Sequence, residues 1–265
     1  MSNPITTEQV KELRDQTGIS VMQCRKALEE AGGDMNKAVA ILKKNSAAIA
    51  EKKLSREVKD GRIAVKMEGL PAQAGSKAVL VSLHCETDFV AKNEDFIALL
   101  RALTEKAFAE GVEKMKIGAK EMIDSIIQKT GENIQLGDAY EVAGSILENY
   151  VHNNKIGVIV SLKGGSTELA KDIAMHIAAM KPEYLSAAEV TEEARVMMRE
   201  VFEKEIANVD KPAEIKKKML EGKLATYFRE KILLEQPFIK DGDMTVGSLL
   251  EKNKATIKEV RKSLI

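Results

Sequence analysis

The chain has 265 residues, and its 41 Lys and Arg residues are balanced by 41 Asp and Glu residues, so the formal net charge is zero. This balance disfavours an extended nucleic-acid-binding surface, because such a surface needs an excess of Lys and Arg to neutralise phosphates. Hydrophobic residues make up 44% of the sequence, which is ordinary for a globular protein of two or three domains. Two cysteines are too few for a disulfide framework in a chain of this length.

Neither a targeting segment nor a membrane span is predicted. Residues 1–18 lack the apolar stretch of a secretory signal. No run approaches the roughly 18 consecutive apolar residues that a transmembrane helix needs. We therefore expect a cytoplasmic protein that makes no membrane contact.

The amino-terminal residues 6–44 predict three short helices that share a small core. Two helix starts match a capping box, in which a hydroxyl and an amide three residues later satisfy two backbone N–H groups: Thr6 with Gln9, and Ser20 with Gln23. The charged, Ala-rich residues 46–60 then predict a helical or semi-flexible linker. A domain boundary is expected there.

Two apolar runs, 62–68 and 77–83, predict a β-hairpin whose turn, 69–76, is rich in Gly and Pro. The Gly-Ser-Lys order at 75–77 is similar to that of a phosphate-binding loop. However, its spacing is wrong, and it precedes a strand, so no helix N-terminus faces a phosphate. We expect no direct nucleotide binding.

Residues 87–93 follow this hairpin and predict a loop that contains an aromatic residue, Phe89, where a polar turn is expected. One interpretation is that Phe89 folds back onto the protein's own core, as loop aromatics often do. The other is that it inserts into another protein. Two helices follow, one starting at Asn93 or Asp95 and one over about 119–129.

The same pattern then recurs. Runs 145–151 and 156–162 predict a second hairpin, and 167–180 predicts a helix behind it. The tripeptide Val-Ser-Leu occurs in both hairpins, at 81–83 and at 160–162. These features predict an internal pseudo-repeat.

A long helical hairpin is predicted next. Ser186 and Glu189 match a third capping box for a helix that reaches about residue 208, and Pro212 suits the start of a return helix to about residue 235. The irregular apolar spacing of the return helix leaves three roles open: association of chains, contact with another partner, or packing on the core. The tail predicts a helix near 245–253 and a strand near 257–265.

Residues typical of catalysis or metal binding are present but isolated. His84 and Cys85 are neighbours on a predicted strand, so they point to opposite faces, and no further Cys or His cluster completes four ligands. His152 and His176 lack the Ser, Cys or paired carboxylate that would make either a catalytic base. We expect no metal, no cofactor and no covalent chemistry.

Three stretches carry a resemblance to a known family: residues 11–14 with 17–28, residues 87–92 (Thr-Asp-Phe-Val-Ala-Lys), and residues 175–179 with 181–182. In this order they resemble the bacterial translation elongation factor Ts family, the guanine nucleotide exchange factors for elongation factor Tu. The resemblance covers nearly the whole chain.

The resemblance implies an α+β fold with an N-terminal three-helix ubiquitin-associated-like domain, a core of two similar hairpin-plus-helix subdomains, and an inserted antiparallel helical hairpin. The boundaries are 1–45 for the three-helix domain, 46–60 for the linker, 61–144 and 145–185 for the N- and C-subdomains of the core, 186–235 for the helical hairpin, and 236–265 for the part that returns to the core.

The resemblance also implies where the partner binds. In the family, the segment that matches Thr87, Asp88, Phe89 and Val90 enters the partner's GTPase domain and disturbs the Mg²⁺ and nucleotide site. The N-terminal domain would contact another face through Ile19, Val21 and Met22, unless these residues only pack on Val10 and Leu13. The C-subdomain contacts would be His152, Lys155, Ile156, Gly157, His176 and Ile177, although His176 also suits a plain helix residue.

The implied partner is elongation factor Tu, in its GDP-bound and nucleotide-free forms, and the helical hairpin allows a homodimer or a heterotetramer. Two other functions compete with this one. A nucleic-acid or ribosome-associated module is disfavoured because residues 1–45 hold seven basic and six acidic residues. A structural adaptor would bind a partner without changing nucleotide release.

Overall fold

The computed structural model describes residues 5–69 and 75–265, over which the protein is a mixed α/β fold. Ten α-helices and three small antiparallel sheets lie within these ranges. None of the described helices combines the length and the apolar character that a bilayer crossing requires. The predicted turn at 69–76 falls mostly on residues 70–74, which lie outside the described residues.

Three helices begin the structure: α1 (Thr7–Thr17), α2 (Val21–Glu30) and α3 (Met35–Glu51). The capping box of Thr6 and Gln9 is confirmed, with both reciprocal hydrogen bonds present. The second predicted box is only half formed. Ser20 accepts the Gln23 N–H, whereas the Gln23 side-chain oxygen accepts a hydrogen bond from Gln128. The buried side chains that close this core are Val10, Leu13, Ile19, Cys24, Ala27, Leu28, Ala38 and Leu42.

Helix α3 belongs to two cores. Leu42 is buried in the amino-terminal cluster, whereas Ala50, further along the same helix, is buried in the next cluster. The helix therefore continues through the first residues of the predicted linker, and only residues 52–59 form turns and irregular backbone. Of the two expectations for the linker, helical and semi-flexible, the helical one holds as far as Glu51.

The first sheet contains β1 (Asp60–Gly69), β2 (Ser76–Cys85) and β3 (Ile134–Gly144), all antiparallel and in that order. The helices between β2 and β3 are α4 (Asp88–Ala91), α5 (Glu94–Glu110) and α6 (Val112–Thr130). The predicted hairpin is confirmed. Strand β3 was missed because only two of its eleven residues are buried, which leaves no regular apolar alternation. Helix α6 begins before its predicted start near residue 119, because only Gly111 separates it from α5.

The second predicted hairpin is confirmed as β4 (Ile146–His152) and β5 (Ile156–Lys163). Asn153, Asn154 and Lys155 join the strands, and the two Asn residues, at the centre of the turn that the Lys155 N–H closes on the His152 carbonyl, have φ angles of 49° and 57°. Both angles lie in the left-handed region that a two-residue type I′ turn requires and that Asn tolerates. Helix α7 (Thr167–Met180) follows at the predicted residues.

Helices α8 (Glu192–Ala207) and α9 (Ala213–Lys231) then pack against each other. The predicted capping box at Ser186 and Glu189 is wrong. Ser186 makes no capping hydrogen bond, and the Glu189 carboxylate accepts a backbone N–H from four residues earlier. The cap of α8 is Thr191, which accepts the N–H of Ala194.

The carboxyl-terminal part contains β6 (Pro237–Phe238), β7 (Asp241–Thr245), α10 (Val246–Lys252) and β8 (Thr256–Leu264). The predicted short helix and final strand are confirmed, whereas the two-stranded ribbon of β6 and β7 was not predicted. Strand β8 pairs with β5, so the second sheet has the order β4-β5-β8.

The two three-stranded sheets pack face to face. Along β2, Val79 and Val81 contact the core of α5 and α6, whereas Leu80 points the other way, towards Ile159 of the second sheet. Helix α7 covers the outer face of the second sheet. Gly157 lies in the interface, where an added Cβ would come within 2.6 Å of Ile63 Cγ2. The layers are therefore helices, sheet, sheet, helix, and the edge of this sandwich carries the site described below.

Candidate functional site

The segment that follows β2 is one turn of helix, α4, and not the irregular loop predicted from its sequence. The Thr87 hydroxyl caps this turn by accepting the Val90 N–H at 3.4 Å. Val90 and Ala91 are buried in the cluster that the first sheet forms with α5 and α6, which we call the first core. The Phe89 side chain, in contrast, is 80% exposed. The interpretation that Phe89 packs in the protein's own core is therefore wrong.

Asp88 lies beside Phe89 on the first turn of α4 and forms an ion pair with Lys92, at 2.7 Å. This hydrogen bond raises the pKa of Lys92 above its usual value. A cleft of about 310 Å³ separates α4 from the turn between β4 and β5. Arg62 lines the cleft and donates a hydrogen bond to the carbonyl of Ala91 at 3.4 Å.

Lys155 connects the two sheets at the other side of this cleft. Its ammonium group donates hydrogen bonds to the Asp60 carboxylate and to the carbonyl of Gly61, the latter at 2.8 Å. Burial by itself raises the pKa of Asp60, but the hydrogen bonds from Lys155 and from the Gly61 N–H lower it below its usual value. Lys155 therefore joins the second hairpin to the start of β1.

The other C-subdomain residues do not form one exposed surface. His152 is exposed, and Ile156 is half-buried. Gly157, His176 and Ile177 are buried. The predicted contact surface is thus limited to the turn that carries His152 and Lys155, and the buried residues hold the layers together.

His176 is buried, and both of its ring nitrogens form hydrogen bonds within the protein. Its Nδ1 accepts the N–H of Ile239 at 3.2 Å, so its Nε2 carries the proton and donates to the Gln236 side-chain oxygen at 2.9 Å. Burial lowers the pKa of His176, and the hydrogen bond to Gln236 opposes this shift only in part. The imidazole is therefore neutral at pH 7.

We expect His176 to make the protein less stable in mild acid. In the unfolded chain this histidine titrates near pH 6.5, and below that pH the unfolded state binds a proton that the folded state does not. The free energy of unfolding should then fall by up to about 1.4 kcal/mol per pH unit until the lower, folded pKa is reached. Urea denaturation of the parent and of His176→Gln, at a series of pH values below 7, should show a shallower slope for the variant. Equal slopes would contradict the assignment.

The three residues predicted as N-terminal partner contacts also differ in exposure. Val21 is 53% exposed and Met22 is 83% exposed at the start of α2. Ile19 is buried in the amino-terminal core, where it packs with Val10 and Leu13. Of the three residues predicted to contact a partner, only Val21 and Met22 are therefore exposed and available for contact.

Residues 5–69 and 75–265 contain no group of three or more His, Cys, Asp or Glu side chains that could hold a metal ion. Burial, with smaller contributions from the charges of Asp60 and Glu132, raises the pKa of Cys85 to about 12. Cys85 is therefore a protonated thiol at neutral pH. This agrees with the interpretation of His84 and Cys85 as structural residues.

Glu132 was not predicted as a site residue, yet its carboxylate binds the backbone just before α4. A Glu directly after the helix-ending Gly131 is a weak signal, because the contact joins residues 45 positions apart in the chain. Only the pairing of β2 with the unpredicted β3 brings them together.

Comparison with known proteins gives one consistent result. A family profile described as Elongation factor TS matches residues 86–263. The chain is 42% identical to Elongation factor Ts of Hahella chejuensis over 258 residues, which is 96% of this chain and 89% of that protein. It is 43% identical to the Pseudomonas fluorescens protein of the same name, covering 96% and 88% of the two chains. It is 39% identical to that of Thioalkalivibrio sulfidiphilus, covering 93% and 87%.

The profile match includes the exposed turn at Phe89, and the similarity to the first two relatives, over 96% of this chain, also includes the two packed sheets. The extent and identity of the similarity show that this chain belongs to the elongation factor Ts family.

Proposed function

We propose that this chain is a guanine nucleotide exchange factor that binds elongation factor Tu and promotes GDP release by inserting α4 next to the partner's Mg²⁺ and nucleotide site. Membership of the elongation factor Ts family supports nucleotide exchange on elongation factor Tu during translation elongation. The observation that carries the insertion step is the exposure of Phe89 on a helical turn whose other side is buried.

The energy for exchange comes from burial of Phe89 in the partner. Removing a Phe side chain from water contributes about 1.5 to 3 kcal/mol. If the receiving pocket opens only when the partner holds Mg²⁺ and GDP poorly, this energy favours that conformation. Val90 and Ala91, which anchor the turn in the first core, let α4 act as a firm support for the inserted ring.

The neighbours of Phe89 have supporting roles. Thr87 caps the turn, and Val90 seats it. Asp88 makes a polar contact with the partner, for which it exchanges its ion pair with Lys92; such an exposed pair is worth only about 0 to 1 kcal/mol and is readily given up. None of these groups forms or breaks a covalent bond in the proposed mechanism.

Coupling between the two ligands of elongation factor Tu makes the complex transient. By linkage, any factor by which this chain weakens nucleotide binding is also the factor by which nucleotide weakens binding of this chain. Both GDP-bound and nucleotide-free elongation factor Tu are therefore partners, and GTP displaces the chain when it enters.

Two further contacts complete the proposed interface. Val21 and Met22 would contact a second face of the GTPase domain, since Met side chains adapt well to a binding surface. His152, with Lys155 beside it, would contact a different domain of the partner. Ile19, Gly157, His176 and Ile177 would contribute indirectly, by shaping these surfaces from inside.

We also propose the subdomain division implied by the sequence. The separate buried clusters of the first three helices, of the first sheet with α5 and α6, and of the second sheet with α7 support a ubiquitin-associated-like domain at 1–45 and two similar subdomains at 61–144 and 145–185. Residues 186–235 would form the inserted helical hairpin, and 236–265 return to the core. Association of chains through the hairpin stays a prediction.

The proposal is tested by measuring the dissociation of fluorescent GDP from elongation factor Tu at fixed Mg²⁺, with and without this chain. We expect release to accelerate with increasing chain concentration and to reach a plateau. Binding of the chain with no change in the rate of release would contradict exchange activity and leave the adaptor function. Salt-sensitive RNA binding at physiological ionic strength, with no effect on GDP, would instead favour a ribosome-associated module.

A further inference from the structure

We infer that Glu132 is the positioning residue of the insertion site: its carboxylate sets the direction in which α4 presents Phe89. One carboxylate oxygen accepts the N–H groups of Glu86 and Thr87, at 3.1 and 3.0 Å. The other accepts the Thr87 hydroxyl at 2.6 Å. All three donors lie in the two residues that immediately precede α4.

A carboxylate suits these donors better than most side chains. It offers two oxygens and about four acceptor positions, and hydrogen bonds to an ionised group are shorter and stronger than neutral ones. The Thr87 hydroxyl donates its proton to Glu132 while its oxygen accepts the Val90 N–H. Glu132 therefore also orients the cap of α4.

The contact is reciprocal. The carboxylate of Glu86 accepts the N–H of Asn133 at 2.6 Å, so each strand end binds the backbone of the other. Arg56 supports this arrangement, because its guanidinium lies 3.4 Å from Glu86 and its carbonyl accepts the Asn133 side-chain amide at 2.7 Å. We call Glu86, Thr87, Glu132 and Asn133 the α4 anchor.

The anchor is attached to a rigid base. Glu132 follows Gly131, which ends α6 with a φ of 78°, a left-handed value that favours glycine. Ile123 and Ile127 of α6 are buried in the first core. Since this packing fixes α6, it also fixes Glu132, and the hydrogen bonds of Glu132 in turn fix the start of α4. The inference rests on the proposed function, because the direction of Phe89 matters only if α4 enters a partner.

Four variants separate geometry from charge. Glu132→Ala removes all three contacts. Glu132→Gln keeps the side-chain length, and its amide can accept the two N–H groups and donate to the Thr87 oxygen. Glu132→Asp keeps the charge but is one methylene too short. The matched control is Glu113→Ala, which removes an 84% exposed acid from α6, the helix that precedes Glu132.

The first readout needs no partner. Hydrogen–deuterium exchange of the whole chain should show at least about tenfold faster exchange of the Thr87 and Val90 amides in the Ala and Asp variants. The Gln variant and the Glu113→Ala control should match the parent. Unchanged protection in the Ala variant, or equal loss in the Gln variant, would overturn the inference. If the Ala variant does not fold, the comparison of Gln with Asp decides the same question.

The second readout is GDP release from elongation factor Tu over a range of chain concentrations. A misplaced α4 lowers the plateau rate, and we expect a fall of at least about tenfold for Asp and Ala and of less than twofold for Gln. A merely structural defect would instead reduce the amount of active protein, which shifts the half-saturating concentration and leaves the plateau unchanged. That result would overturn the positioning role.

The two readouts keep the two ideas distinguishable. If the parent chain itself fails to accelerate GDP release, the proposed function fails, and hydrogen exchange alone still decides whether Glu132 orders α4. If the parent accelerates release and all three Glu132 variants reach the same plateau, the exchange function stands and the positioning role fails.

Discussion

Replacing Phe89 with alanine should remove most of the acceleration of GDP release and leave the fold intact. The ring is 80% exposed, so its loss costs the free chain no core packing, and its free energy of unfolding should change by less than about 0.5 kcal/mol. In the complex, the variant loses the burial of a Phe side chain, about 1.5 to 3 kcal/mol. Because each 1.36 kcal/mol of barrier is tenfold in rate, the plateau rate of release should fall by about 10- to 150-fold.

The measurement is stopped-flow release of fluorescent GDP from elongation factor Tu, with urea denaturation of the same preparations. Ile117→Ala is the matched control, because Ile117 is another large apolar side chain, 84% exposed, on α6 and outside the proposed site. The control should match the parent in both assays. A Phe89→Ala protein that reaches the parental plateau, or a control that falls equally far, would count against insertion of this ring.

The opposite behaviour is expected from the next phenylalanine in the chain. Phe96 lies on the first turns of α5, is completely buried, and belongs to the first core. Phe96→Ala deletes a large core side chain and leaves a cavity, which should lower the free energy of unfolding by about 3 to 5 kcal/mol. The change should appear as a large decrease in the midpoint of urea denaturation, followed by circular dichroism.

The exposed Phe89→Ala variant is the natural control for this substitution, since the chemical change is identical and the sites are seven positions apart. If Phe96→Ala lowered the free energy of unfolding by less than about 1 kcal/mol, the first core would not depend on this ring. The burial of α4 in that core would then need another explanation. Together the two variants test whether the same residue type serves stability at one position and binding at the other.

Local signals predicted much of the fold. The helices that start at Thr7 and Thr167 and both hairpins follow from caps, turns and apolar spacing over a few residues. Strand β3 could not be predicted in this way, because its stability comes from pairing with β2 and not from its own residue pattern. Helix α4 was missed as a helix because one turn is too short to show a 3.6-residue period.

The candidate site was predicted in its positions but not in its exposure. Resemblance points to Met22 and Ile19 alike, yet one is exposed and the other buried, since burial depends on how the first three helices pack. His176 is a similar case, because its partners, Gln236 and Ile239, lie some sixty residues later. Glu132 had only a weak local signal, since its role depends on a contact with the start of α4.

Helix α3, which is buried in the amino-terminal core at Leu42 and in the first core at Ala50, gives the proposed exchange factor a mechanical character. Under the proposed function it would act as a strut between the helices that carry Met22 and the core that carries α4. Once one end has bound elongation factor Tu, the other meets its target at a high effective concentration. A hinged connection would bend to suit the GDP-bound partner. Under the proposed function a strut would not bend, so the partner would have to deform, and this deformation would weaken its binding of the nucleotide.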